Sequence, residues 1–160
     1  MTECDNFSVG VIIERGMDIA LLQRAKFPIA IAPPAGHIDQ HGIPELAAIA
    51  EVEEELGLVI ARGGLLRTTI ANRRVENRCR RPGGDYHYWS VFRATAYSGV
   101  LRSSLDETRG AGWYNSDQLQ ELADRTQAFS EGRVTPEQWE QEPGLEAVWV
   151  DFMTELGYLA

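Results

Sequence analysis

Three glutamates of this 160-residue chain are spaced to share one side of a helix. The segment that carries Glu51, Glu54 and Glu55 is predicted to be helical from about Pro44 and to stop at Gly57. Because an α-helix turns about 100° per residue, the second and third glutamates lie about 60° and 40° to either side of the first. The three carboxylates are therefore expected to form one acidic face.

That acidic face is locally unfavourable. Like charges at i,i+4 cost about 0.2–0.5 kcal/mol per pair, and acids in the last turn of a helix cost about 0.3–1 kcal/mol each. No Lys or Arg lies between Ile43 and Gly57 to offset this repulsion. A bound divalent cation would reverse both effects, since Mg²⁺ prefers oxygen ligands and binds through carboxylates and substrate phosphates. A solvated acidic surface is the alternative interpretation, and the missing counter-charges favour the metal site.

Composition limits the classes of function. The length fits one domain, and a hydrophobic content of 44% with 24% charged residues is ordinary for a globular protein. A net charge of −9 argues against a dedicated nucleic-acid binder and would repel a polyphosphate at long range. Cys4 and Cys79 show no zinc-site spacing. We expect a cytoplasmic protein with no signal peptide and no membrane span.

The pattern of apolar residues predicts strands and helices in alternation, hence an α/β fold. We expect a single domain over residues 1–160, in which residues 130–160 form a C-terminal helical extension. Residues 27–34 and 73–84 are predicted to be loops. Ser116 is predicted to cap one helix, and Thr135 to begin another, with Gln138 placed for a capping box. The last helix carries an apolar stripe that predicts core packing, although a lid or a subunit contact, as in a homodimer, is an alternative. The predicted strands cover residues 7–14, 17–23, 59–71 (broken near Gly63), 86–97 and 110–114.

The spacing of glycines and glutamates over residues 36–58 resembles the Nudix box, G-x5-E-x7-R-E-U-x-E-E-x-G-U, where U is apolar. The register holds without a gap from Gly36 to the end of the motif. Two positions depart from the pattern, since Gly42 replaces a glutamate and Ala50 replaces an arginine. The resemblance implies an α/β/α sandwich with a mixed central sheet.

The same resemblance implies a pyrophosphohydrolase that requires Mg²⁺ or Mn²⁺ and acts on a nucleoside diphosphate linked to some group X. Glu51, Glu54 and Glu55 match the metal-binding and catalytic glutamates of the family, and the carbonyl of Ala35 matches a frequent metal ligand. Glu107 is similar to an acid that many Nudix proteins supply from outside the box as a ligand or base. An exposed turn acid is the alternative for this residue.

The two departures in the box suggest a second function. In the family, the box arginine pairs with box glutamates and orients them, so its replacement by Ala50 and the loss of the first glutamate at Gly42 remove both partners together. The alternative to an enzyme is therefore a catalytically impaired nucleotide-binding domain with a sensing or regulatory role. The retained glutamates argue against it.

Candidate substrate ligands lie outside the acidic helix. Residues 73–84 hold five arginines, and guanidinium groups recognise phosphate through paired hydrogen bonds. A solvated loop is the alternative. His37 follows Gly36 and is a candidate substrate contact, with a packing role as its alternative. Residues 73–76 lack the Pro or Tyr typical of family members that cleave ADP-ribose or dinucleoside polyphosphates, which favours a nucleoside triphosphate or a nucleotide sugar. The arginines expected to bind phosphate are Arg73, Arg78, Arg80 and Arg81.

Overall fold

A mixed sheet forms the centre of the computed structural model, which describes residues 2–160. Strand β1 pairs in parallel with β8 and antiparallel with β2, and the strand order along the sheet is β10-β2-β1-β8-β6. Short strands β3, β4 and β7 pair with β2, β1 and β8, while β5 and β9 form a separate ribbon. The strands are β1 (Phe7–Arg15), β2 (Asp18–Arg24), β3 (Ile31–Ala32), β4 (Ala35–His37), β5 (Val59–Ile60), β6 (Leu65–Arg67), β7 (Arg73–Val75), β8 (His87–Ala94), β9 (Tyr97–Ser98) and β10 (Thr108–Tyr114).

Helices cover both faces of the sheet. They are α1 (Pro44–Leu56), α2 (Ser116–Ser130), α3 (Pro136–Gln141) and α4 (Ala147–Glu155). Alternate residues of β1 are buried on opposite faces, so that Val11 packs in one cluster with Val52 of α1, and Ile12 packs in the other with Leu119 of α2 and Phe152 of α4. The predicted α/β/α sandwich with a mixed sheet is confirmed.

The apolar stripe of α4 is part of the core. Trp149 is fully buried, and a Cβ added at Gly10 of β1 would lie 2.3 Å from its indole ring, so only glycine fits beneath it. The prediction that this stripe packs in the core is therefore confirmed. In the described part of the chain, no helix combines the length and the apolar character that crossing a membrane requires.

Two segments that were predicted to be loops contain short strands. Ile31–Ala32 pairs with β2, and Arg73–Val75 pairs with the start of β8. Both strands are only two or three residues long, too short for an alternating pattern to show in the sequence. The predicted break near Gly63 is present, since that glycine adopts a φ of 74° between β5 and β6.

The starts of two helices were predicted to within one residue. Asn115, and not Ser116, caps α2, because its side chain accepts a hydrogen bond from the backbone N–H of Gln118 at 2.9 Å. Gln118 accepts one in return from the backbone of Asn115, which completes a capping box. The capping box predicted for Thr135 and Gln138 is present at the start of α3.

Candidate active site

Glu51 lies directly against the glycine-containing loop that enters α1. A Cβ added at Gly36, in β4, would lie 2.1 Å from Oε1 of Glu51 and 2.2 Å from its Cδ. With contacts this short, a side chain at position 36 would displace the carboxylate of Glu51. The glycine therefore allows the carboxylate of Glu51 to pack against the loop backbone, on the floor of a cleft.

Glu55 lies one helical turn further on and is 5% exposed. Its Oε1 accepts a hydrogen bond from the backbone N–H of Ala35 at 2.9 Å. Burial raises the pKa of Glu55, while the Ala35 hydrogen bond and the charge of Arg24 oppose this shift and the charge of Glu107 adds to it. Within residues 2–160, Glu55 forms no ion pair.

The pKa of Glu51 is also raised, first by burial and then by the negative charges of Glu55, Glu54 and Glu107. Glu51 and Glu55 are therefore harder to ionise in this cleft than an ordinary glutamate in water. Several oxygen donors with uncompensated negative charge fit a hard divalent cation such as Mg²⁺ or Mn²⁺. The donor set suits a metal of this class, which would supply the counter-charge that the sequence analysis predicts for the acidic face.

Most of the residues predicted for the site surround one cleft. Glu54 is exposed on α1 and contributes through its charge on Glu51 rather than by lining the cleft. Arg73 lies elsewhere, since its guanidinium forms an ion pair with Glu155 of α4 at 2.7 Å. The predicted residues that line the cleft are Ala35, His37, Glu51, Glu55, Arg78, Arg80, Arg81 and Glu107.

The arginine-rich segment lines the same cleft as the glutamates. Arg81 is held in place by two parallel hydrogen bonds to Asp39, with Nη1 to Oδ1 at 2.7 Å and Nη2 to Oδ2 at 3.0 Å. Arg78 is 3.9 Å from Asp85 and largely exposed, and Arg80 is exposed at the cleft. Two of the three guanidinium groups thus remain accessible to an anion.

A sequence model of the NUDIX domain matches residues 6–138. The chain belongs to the Nudix family. Among solved structures, the chain is similar to a MutT Nudix hydrolase from Burkholderia pseudomallei, with 27% identity, a TM-score of 0.58, and coverage of 71% of this chain and 84% of the other. A comparison with curated proteins found no match.

Two more distant structures share the Nudix fold. An Ap4A hydrolase from C. elegans has 21% identity and a TM-score of 0.50, with 78% of this chain and 98% of the other covered. The Nudix domain of Shewanella oneidensis NrtR, solved with ADP ribose, has 16% identity and a TM-score of 0.53, with coverage of 79% and 78%.

The first departure from the Nudix box has a structural correlate. Gly42 adopts a φ of 83° and a ψ of −43°, a backbone conformation that residues with a side chain rarely occupy. A glutamate at this position would strain the loop between the 3₁₀ turn at Asp39–His41 and α1. Glycine therefore suits the backbone of this loop better than the glutamate of the family pattern would.

Three charged residues of this Nudix cleft were missed by sequence analysis. Arg24 and Lys26 line it from the end of β2 and the segment that follows. Glu146, which precedes α4, also lines it, and its Oε2 is buried without a hydrogen-bond partner among the described residues. Burial raises the pKa of Glu146, and the charge of Arg24 partly opposes this. None of the three lies in a motif, so no sequence pattern could have identified them.

A second group of side chains meets at the edge of the Nudix cleft. Cys4, His37, Cys79 and His87 come from four separate segments, yet their sulfur and nitrogen atoms all lie within 4.8 Å of one another. Burial lowers the pKa of both histidines and raises the pKa of the Cys4 thiol. The absence of zinc-site spacing in the sequence concealed this cluster, because its members are brought together only by the fold.

Proposed function

We propose that this protein is a divalent-metal-dependent hydrolase that splits a nucleoside diphosphate linked to a group X by addition of water at phosphorus. The observation that supports this most strongly is the pair Glu51 and Glu55, two carboxylates with raised pKa values and no ion pair among residues 2–160. Arginines line the same cleft.

Oxygen atoms of Glu51 and Glu55, together with the carbonyl of Ala35, would hold Mg²⁺ or Mn²⁺, and Glu54 would add a third carboxylate by turning its exposed side chain toward the ion. When bound, such an ion supplies stabilisation of the charge that develops on a cleaved pyrophosphate. The raised pKa values reflect first the cost of burying each carboxylate and then its repulsion by neighbouring carboxylates before a cation arrives. Their role is therefore to create a site whose affinity for a cation comes from relief of that repulsion.

Glu51 is the residue that we assign as general base. Its carboxylate lies in the cleft, and its raised pKa makes it a better proton acceptor than an ordinary glutamate once ionised. In the proposed reaction, the water oxygen bonds to phosphorus, the bond from phosphorus to the bridging oxygen breaks, and the water proton passes to Glu51. Glu107 and Glu146 line the same cleft and are the alternative bases.

Basic side chains are concentrated at this cleft although the chain carries a net charge of −9. Arg78, Arg80 and Lys26 line it, and Arg81 is fixed beside them by Asp39. Guanidinium groups bind phosphate oxygens through charge-assisted hydrogen bonds. We assign these residues to the phosphates of the substrate.

An apolar groove adjoins the phosphate-binding region. Phe27, Pro28 and Arg78 line both the cleft and this groove, which extends to Phe129 and Trp139. Phe27 is 51% exposed, so its ring is accessible for stacking. A nucleobase or another planar group fits this surface, which favours a nucleotide over an inorganic polyphosphate. Nucleoside triphosphates and nucleotide sugars are the substrates that we propose.

The two departures in the box, Gly42 and Ala50, support a second candidate, a Nudix domain that binds a nucleotide for sensing or regulation without turnover. The buried and uncompensated carboxylates favour catalysis, because a binding domain gains nothing from charges that repel each other and its ligand.

A panel of nucleotides distinguishes the two candidates. Nucleoside triphosphates, nucleotide sugars, ADP-ribose and dinucleoside polyphosphates would be incubated with the protein and Mg²⁺ or Mn²⁺, and products would be separated by chromatography. Turnover in ¹⁸O-labelled water, with the label found in a phosphate product, supports hydrolysis at phosphorus. Tight binding of a panel member without any product would instead support the regulatory candidate.

A further inference from the structure

The four side chains at the edge of the cleft are arranged as metal ligands. Sγ of Cys4 lies 3.4 Å from Nε2 of His37, 3.2 Å from Nε2 of His87 and 3.7 Å from Sγ of Cys79. We propose that Cys4, His37, Cys79 and His87 bind one Zn²⁺ ion in a site separate from the glutamates. This inference does not depend on the proposed hydrolysis.

The separations suit a tetrahedral ion better than a disulfide. Zn–S bonds of about 2.3 Å and Zn–N bonds of about 2.0–2.1 Å in a tetrahedron place two sulfurs about 3.8 Å apart and a sulfur about 3.5 Å from a nitrogen. The distances of 3.7, 3.4 and 3.2 Å around Cys4 are close to these values. A disulfide needs sulfurs about 2.0 Å apart. It also does not explain why two imidazole nitrogens lie close to Sγ of Cys4.

The orientation of His87 is fixed by its other ring nitrogen. Nδ1 lies 3.0 Å from the backbone oxygen of Asn77 and 3.1 Å from its Oδ1, both acceptors, so Nδ1 carries the proton. The indole N–H of Trp89 donates to the same Oδ1 at 3.0 Å, which confirms that the amide oxygen faces the histidine. The unprotonated Nε2 is thus directed at Cys4. Histidines that bind metals are held by a hydrogen bond of this kind.

The backbone around both cysteines is folded to place the sulfurs. The N–H of Cys4 donates to the carbonyl of Pro82 at 2.9 Å, and the N–H of Cys79 donates to the carbonyl of Gly84 at 2.8 Å. Sγ of Cys4 also accepts a hydrogen bond from the N–H of Asn6 at 3.3 Å. A Cβ at Gly84 would lie 2.2 Å from Sγ of Cys79, so glycine is required beside that sulfur.

Four protein ligands would close the coordination sphere, which is typical of structural zinc rather than catalytic zinc. Cys79 lies between Arg78 and Arg80, and His37 follows the glycine that packs on Glu51. A zinc ion at this position would tie the arginine-rich segment to the N-terminal segment and to β4. We assign it the role of holding the phosphate-binding arginines over the acidic cleft.

Metal analysis of the full-length protein tests the proposal. Protein purified with a non-thiol reductant is expected to contain about one zinc per chain by elemental analysis. Replacement by Co²⁺ should give the visible bands of tetrahedral cobalt together with a thiolate-to-cobalt charge-transfer band. The glutamates supply only oxygen ligands, so cobalt bound there gives no thiolate band, and Glu51→Gln should leave that band unchanged.

Variants with a matched control identify the ligands. Cys79→Ser and His87→Gln are expected to lose the zinc, whereas His41→Gln, which alters the one histidine outside the cluster, should retain it. The wild-type cobalt spectrum serves as the second measurement if a variant does not fold. Zinc-free protein whose cobalt complex lacks the thiolate band, with the cysteines free or joined as a disulfide, would overturn the proposal.

Asn77 offers a further control on the geometry. Asn77→Ala removes the side-chain oxygen that helps to orient His87 but leaves the backbone carbonyl as an acceptor, so it is expected to weaken zinc binding by about tenfold, the lower end of the range for such partners. Asn77→Asp keeps an acceptor oxygen for both His87 and Trp89, so its zinc affinity should remain near that of the wild type. Equal losses in both variants would contradict the role of this hydrogen bond.

Discussion

Gly36 and Glu51 are packed so closely that a single methyl group cannot fit between them. The Cβ of an alanine at position 36 would lie 2.1 Å from Oε1 of Glu51. The first glycine of the Nudix box therefore leaves the space that the carboxylate of Glu51 occupies. The position of Glu51 in the cleft depends on that space.

Gly36→Ala should displace Glu51 and reduce kcat by about 100-fold, the effect of moving a catalytic group by about 1 Å. Gly112→Ala is the matched control, because its Cβ would meet only Tyr114, at 3.7 Å, in ordinary contact. Steady-state kinetics of both variants provides the comparison. Wild-type kcat in Gly36→Ala would show that Glu51 can move without consequence.

The double variant Glu54→Gln and Glu55→Gln should lose the stabilisation that a divalent cation provides. Mg²⁺ at about 100 times its Kd should raise the wild-type Tm by about 5–10 °C. Without metal, the variant should melt higher than the wild type, since it lacks a buried carboxylate with a raised pKa. Thermal melts with and without Mg²⁺ measure both effects, and Glu53→Gln, which alters an exposed residue of the same helix, is the control. A retained shift in the double variant would place the ion elsewhere.

The metal-free protein should become less stable as the pH rises. The pKa of Glu51 lies above its ordinary value of 4.5 in the folded state, so above that pH the folded chain holds a proton that the unfolded chain releases. The free energy of unfolding therefore falls with increasing pH. In Glu51→Gln this decline should be shallower.

Tm values measured from about pH 5 to pH 8 in magnesium-free buffer check this sign. The difference between the wild type and Glu51→Gln isolates this carboxylate from all other titrating groups. Parallel curves for the two proteins would mean that Glu51 ionises in the folded state as it does in the unfolded state.

Arg80→Ala should raise KM about tenfold, the loss of about 1.4 kcal/mol from one charge-assisted hydrogen bond to phosphate. Arg73→Ala is the matched control from the same segment, since Arg73 pairs with Glu155 outside the cleft. Its KM should be unchanged. Kinetics at low ionic strength is the measurement, because salt screens the attraction. Equal KM values in the two variants would show that Arg80 does not contact the phosphates of the substrate.

The acidic half of the site could be predicted because it is local in sequence. Glu51, Glu54 and Glu55 lie within five residues, and helical geometry alone places them on one side of α1. The order of strands and helices followed from alternation and capping residues, with Asn115 in place of Ser116 as the single shift at a cap. These features depend on spacings of a few residues, which a sequence displays directly.

The remainder of the site depends on contacts between distant segments. Cys4 and Cys79 meet because β1 and β8 are neighbours in the sheet, a pairing that no local pattern specifies. Glu146 reaches the cleft from the start of the last helix, and Arg24 from the end of β2. The separation of Arg73 from its neighbours was equally hidden, since the short strand β7 directs its side chain to Glu155.

The rate of nucleotide hydrolysis in Glu51→Gln, compared with Glu53→Gln, tests directly whether the carboxylate of Glu51 is needed for catalysis. Both variants exchange one carboxylate for an amide on α1, but only Glu51 lies in the cleft. With Mg²⁺ and the best substrate from the nucleotide panel, Glu51→Gln should lose about 10²–10⁴-fold in kcat, and Glu53→Gln should match the wild type. Full activity in Glu51→Gln would show that Glu51 is not the catalytic base. No metal-dependent hydrolysis in the wild type would contradict the proposed activity itself.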